Sequence, residues 1–141
     1  MSDFASRLVK VYRLAANGRP DAEAFLFAWH GWIHEIDDYV DEEGRRKEEV
    51  VDLCVHGSVL CSSEFWVRHC SVLAPVLGVI AEKWRASLKA PGPLVDVLRL
   101  AGNDMVLVVA YITGGPALVR AVSERLWPLV AESQIDESIP G

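Results

Sequence analysis

Cysteine is too scarce and too irregularly spaced in this sequence to organise it. The three present, Cys54, Cys61 and Cys70, form an odd number with no Cys-x-x-Cys pair. That excludes a disulfide framework and a zinc knuckle, and it reads as three small core side chains of a protein kept in a reducing compartment. Positive charge is also short: 14 Lys and Arg stand against 20 Asp and Glu, for a net charge of −6. With no basic cluster to neutralise phosphates, direct nucleic-acid binding is not expected. Long hydrophobic runs are missing too. The longest, Met105 to Ile112, falls well short of the roughly 20 residues that cross a bilayer and reads as a buried helix. The opening Met1-Ser2-Asp3-Phe4 lacks the basic region and apolar run of a secretory leader. A cytoplasmic protein without a membrane partner is the expectation. Strand alternation never persists, no Asn-Gly or Asp-Gly turn joins two alternating apolar runs, and no repeat or low-complexity tract appears.

What remains is helical. The 141 residues are 51% hydrophobic, enough for one domain to bury a core unaided, and the apolar surplus points to a homo-oligomer that covers a helix face. The pattern predicts an all-α fold, a single-domain helical bundle of about five to six helices over residues 1–131, followed by a flexible tail at 132–141. Ser2 caps a first helix that Asn17-Gly18 stops, and Pro20-Asp21 open a second that reaches Gly44. A third starts near Arg45. Ser62 and Ser63 precede a fourth, from Glu64 to about Lys89, with a kink expected at Pro75. Pro91-Gly92-Pro93 separates a fifth, from Leu94 to Thr113, and Gly114-Gly115-Pro116 divides it from a sixth that Pro128 ends near Trp127.

One helix carries chemistry. At 100° per residue, His30, His34, Asp37, Asp38 and Asp41 fall within one arc of roughly 100°, while Phe25, Trp29, Ile33, Ile36 and Val40 lie on another side. Carboxylates one turn apart repel unless a cation lies between them, so this stripe is either a solvated face or a site for a hard divalent ion. Trp32 and Tyr39 extend the apolar girth beyond what a surface helix needs. Gly31 marks an expected close approach. On the third helix Glu49, Asp52 and His56 stand three and four apart, and antiparallel packing of the two helices would bring Asp38 and Asp41 toward Glu48 and Glu49. Arg45, Arg46 and Lys47 lie in the connection and offer counter-ions that would pair with the carboxylates as a surface network. Asp104, in the apolar setting of Leu100 to Val108, has to be paired, hydrogen-bonded or metal-bound, or else Asn103 caps a new helix there. His69, beside Trp66, reads as a core histidine.

The run Ile36-Asp37-Asp38-Tyr39-Val40-Asp41 with Arg45-Arg46 resembles the first aspartate-rich motif of trans-isoprenoid diphosphate synthases, and Asn103-Asp104 echoes the second metal motif of the related terpene cyclases. That resemblance implies magnesium held by Asp37, Asp38 and Asp41, and phosphate contacts from Arg45 and Arg46. Glu35-x-x-Asp38 and Glu49-x-x-Asp52 resemble the paired metal-binding helices of MazG-like nucleoside triphosphate pyrophosphatases. Both imply one mechanism class: Mg2+ or Mn2+ engaging a diphosphate- or triphosphate-containing small molecule. The metal ligands would be Asp37, Asp38, Asp41, Glu49, Asp52 and Asp104, the substrate-binding residues Arg45 and Arg46, and the catalytic residues Asp38 and His34, the latter as general base. The alternative is a non-enzymatic helical interaction protein, homo-oligomeric through an aromatic-rich face, or an acidic inhibitor of a partner protein.

Overall fold

The computed structural model describes residues 2–41, 47–89, 92–93 and 100–138, with side chains for all of these but 41 and 134–138. Among them there is no strand: the elements are α1 (Asp3–Ala16), α2 (Pro20–Asp41), α3 (Glu48–Leu60), α4 (Glu64–Ser87), a 3₁₀ turn (Leu100–Gly102) and α5 (Asn103–Ser138). The all-helical expectation holds. Ser2 Oγ accepts the Ala5 N–H at 3.1 Å, and Asn17 closes α1 in the left-handed region at φ 52°, as its side chain permits without a β-branch. Arg45, where the third helix was expected to start, and 94–99, the expected start of the fifth, lie outside the described residues.

Three boundaries differ from expectation. In α4 the non-helical backbone is at His69 (φ −121°, ψ 19°) and not at Pro75. Asn103 opens α5 directly after the 3₁₀ turn, which is the helix break that Gly102-Asn103 offered as the alternative to a continuous helix. Pro128 does not end α5, which continues to Ser138 through much of the expected tail. A proline inside a helix leaves the carbonyl four residues earlier without its donor. Here that residue, Glu124, is exposed, while Leu126 and Leu129 are buried on either side of Pro128.

The chain groups into two compact units, one formed by 1–23 with 106–141 and one by 24–105. In the first, Val11, Tyr12, Ala15, Val109, Val122 and Leu126 are buried. Thr113 Oγ1 donates to the Ala15 carbonyl at 2.7 Å and Asn17 Nδ2 donates to the Thr113 carbonyl at 2.9 Å, which ties the end of α1 to α5. Arg7 grips Glu132 with one guanidinium nitrogen at 2.7 and 2.9 Å. Burial of the Tyr12 ring pushes its phenol above its ordinary titration range. The predicted division at Gly114-Gly115-Pro116 is present as a sharp break: Gly115 sits at φ 75°, ψ −169°, a region essentially reserved for glycine. A Cβ on Gly114 would lie 2.5 Å from Leu118 Cδ2. Replacing Gly115 with alanine is therefore expected to destabilise the fold by about 1–3 kcal/mol, read as a lowered urea midpoint with an unchanged slope.

The second unit is built on aromatic rings. Phe25 stacks on Trp29 at 6.5 Å and tilts against Phe65 at 5.4 Å and Trp66 at 6.2 Å. Trp29 Nε1 donates to the Gly102 carbonyl at 3.0 Å, so even the polar atom of this buried indole is satisfied. Along α4, Trp66, Leu73, Ile80 and Ser87 are buried at seven-residue intervals, a narrow seam of coiled-coil type.

Candidate functional site

Within the second unit α2 packs on α3. Trp32 Nε1 donates to the Leu53 carbonyl at 3.0 Å, and one turn further along α3 a Cβ on Gly57 would lie 2.9 Å from Trp32 Cζ2. Gly57, not Gly31, is thus the glycine of close approach; a Cβ on Gly31 would meet nothing within 4 Å. Glu35 spans the same pair of helices, its carboxylate oxygens 2.7 and 3.0 Å from His56 Nδ1. Trp32 and Glu35 of α2 thus face Leu53, His56 and Gly57 of α3.

The predicted donors are distributed as follows. His34 and Asp38 are exposed on α2 and Asp37 is half-buried beside them; on α3, Glu49 is half-buried and Asp52 exposed. The Asp41 side chain, Arg45 and Arg46 lie outside the described residues. Asp104 is paired, with Lys83 Nζ at 3.1 Å, so of the ways to hold its charge in an apolar segment this one is realised. Among the described residues no three His, Cys, Asp or Glu side chains gather as a shared ion requires.

The imidazoles are closer together. The rings of His30 and His34 meet edge to face with centroids 4.2 Å apart. Burial, and then the charge of His34, lower the His30 pKa from 6.5 to about 4. An unfolded chain binds a proton here at the higher value and the folded chain only at the lower, so between them the unfolded state carries more protons. Stability should therefore fall as pH drops from 6.5 toward about 4. His30→Gln should flatten that part of a urea-midpoint-versus-pH curve.

The cysteines, expected in the core, lie exposed or half-buried, and most valines of α3 and α4 are exposed. Val51, Val55 and Val59 are 61%, 53% and 65% exposed, Val67 and Val79 are 62% and 55% exposed, and Cys54 and Cys70 are exposed as well, with Cys61 intermediate. α3 turns only the ridge Glu49, Leu53, Gly57 and Leu60 inward, and α4 only its narrow seam. Apolar residues lie on more than one side of both helices, so their periodicity does not single out the packed side.

The chain matches no protein-family model, no curated protein and no solved structure. Fold and surface alone define its class: an all-helical protein whose second unit leaves two adjoining helices apolar on their outward sides. Two stretches, Glu64–Ser87 and Leu100–Ser133, are long and apolar enough to cross a membrane by length and composition.

Proposed function

We propose that the protein is a non-enzymatic helical interaction protein that associates with a second copy of itself through the outward sides of α3 and α4. The observation that carries this reading is the exposure of Val50, Val51, Val55, Val59, Val67, Val72, Val79 and Leu88, each 40–65% accessible. Exposed apolar side chains in such number on two consecutive helices mark an interaction surface.

Charge favours a second copy over a charged partner. Residues 69–81 contain no Asp, Glu, Lys or Arg, and 50–60 contain only Asp52. The ionic groups flanking the α4 stretch are paired: Arg68 with Glu64 at 2.9 Å, Arg85 with Glu82 at 3.5 Å, and Lys83 with Asp104. A two-fold pairing sets like residues near one another, and in a chain of net charge −6 the uncharged stretch of α4 is where two copies meet with least repulsion, whereas on α3 the exposed Glu48 and Asp52 adjoin Val55 and Val59. A bilayer fits less well. The 13 uncharged residues 69–81 of α4 span about 20 Å against a hydrocarbon core of roughly 30 Å, and the second apolar stretch is interrupted by the open backbone at Gly115.

Sedimentation equilibrium of the intact chain tests the reading. The mass is expected to rise with concentration from 15.6 kDa toward twice that value. A mass that stays at the monomer value across the micromolar range, or flotation of the protein with neutral vesicles, overturns it.

A second reading draws on the contact of α2, which carries Asp37 and Asp38, with α3, which carries Glu49 and Asp52. A site there for Mg2+ or Mn2+ and a phosphorylated small molecule predicts a melting temperature that rises with millimolar Mg2+ or Mn2+ and a rise that Asp38→Asn abolishes, because an ion binding only the folded state stabilises it by mass action. Equal melting of both proteins with and without the ions removes this reading.

A further inference from the structure

The facing imidazoles on α2 answer to a different chemistry from that of the carboxylates. We propose that His30 and His34 form a two-histidine chelate for a borderline divalent transition ion of the zinc, nickel or copper class, with water in the remaining coordination positions. The spacing i, i+4 sets two side chains one above the other on a helix, and it is the spacing by which helical metalloprotease motifs hold two zinc-binding imidazoles. Here the rings have already met, at a centroid separation of 4.2 Å. Two imidazoles held this close on one helix are placed to share one ion at metal–nitrogen distances of about 2.0–2.1 Å. An ion replaces an edge-to-face contact between two rings that repel each other when protonated with two bonds to neutral nitrogen.

Two further features favour a cation of this class at this place. Glu35, Asp37 and Asp38 follow on the same helix and raise the local concentration of cations. Imidazole selects zinc, nickel and copper over magnesium, which prefers oxygen donors, so the chelate is distinct from the Mg2+ or Mn2+ site of the carboxylates. It also stands independently of self-association, since it draws on neither α3 nor α4.

The chain holds four histidines, of which His56 faces Glu35 and His69 lies 4.6 Å from Phe65, which makes ring spectroscopy decisive. Ni2+ is titrated into the intact protein while the imidazole C–H resonances are followed by NMR and affinity by calorimetry. The expected result is selective broadening of His30 and His34 ahead of His56 and His69, with an affinity that falls about tenfold or more in both His30→Gln and His34→Gln and is unchanged by excess Mg2+. Both variants are checked for unchanged helical signal before titration. Broadening of all four rings together, single-histidine variants that bind as tightly as the parent, or a loss of affinity in Asp38→Asn as large as in the histidine variants would overturn the proposal.

Discussion

Trp29→Ala is expected to cost about 3–5 kcal/mol, the range for removing a large aromatic side chain from a core. For a domain whose total stability is of order 5–15 kcal/mol, that is enough to leave a substantial unfolded population. The argument rests on where the indole sits. Trp29 is 2% exposed, its ring lies between Phe25 at 6.5 Å and Trp32 at 5.9 Å, and its Nε1 serves the Gly102 carbonyl at 3.0 Å. Alanine opens a cavity lined by rigid rings that cannot collapse to fill it, and also leaves the carbonyl of buried Gly102 without its donor. Trp29→Phe separates the two effects: it keeps most of the volume and loses the N–H, and should cost about 1–2 kcal/mol. Trp127, 38% exposed, is the contrasting case, and Trp127→Ala should stay within about 0.5 kcal/mol. Urea unfolding followed by circular dichroism measures all three.

Val55→Glu combined with Val59→Glu is expected to convert the protein to a monomer while leaving its fold intact. Both side chains are more than half exposed, so neither substitution buries a charge within one copy, and the glutamates are good helix formers. Across a two-fold interface, however, each copy would bring two new carboxylates into an apolar contact. Desolvation and like-charge repulsion there cost several kcal/mol, a loss of affinity of a hundredfold or more. Tyr111→Glu supplies the control, since Tyr111 is 59% exposed but belongs to α5 in the other compact unit. It should leave association unchanged. Sedimentation of the three proteins at matched concentrations reads the result, and loss of association in both variants would point to a general effect of added negative charge.

Helix type and most element boundaries were legible because they depend on neighbours in sequence. Ser2 and Asn17-Gly18 bracket α1 by side-chain and backbone geometry that any chain context would reproduce, and the break at Gly115 follows from glycine's access to conformations closed to other residues. Sidedness was not legible in the same way. Val51, Val55 and Val59 lie on a helix with apolar residues on more than one side, and periodicity cannot say which apolar side a neighbouring helix will take when both qualify. The packed side turned out to be the one with Gly57, whose missing side chain admits the indole of Trp32; a glycine on a helix is a signal for close approach, but the sequence offered Gly31 as readily. The acidic stripe shows the other limit. Residue spacing identified His34, Asp37 and Asp38 as neighbours on α2, yet whether Asp104 joined them depended on the position of Lys83, which is 21 positions away in sequence and gives no local sign of the pairing.

The claim on which the account turns is that the apolar sides of α3 and α4 become covered when two copies meet, and the chain carries its own reporters on those helices in Cys54 and Cys70, both exposed. Alkylation rates for each thiol, resolved by mass spectrometry at low and high protein concentration, follow the burial directly. Cys54 and Cys70 should react quickly in dilute protein and progressively more slowly as concentration rises through the association range. Rates that stay constant while the sedimenting mass doubles would mean that the copies meet through some other surface, and the assignment of this face would be wrong.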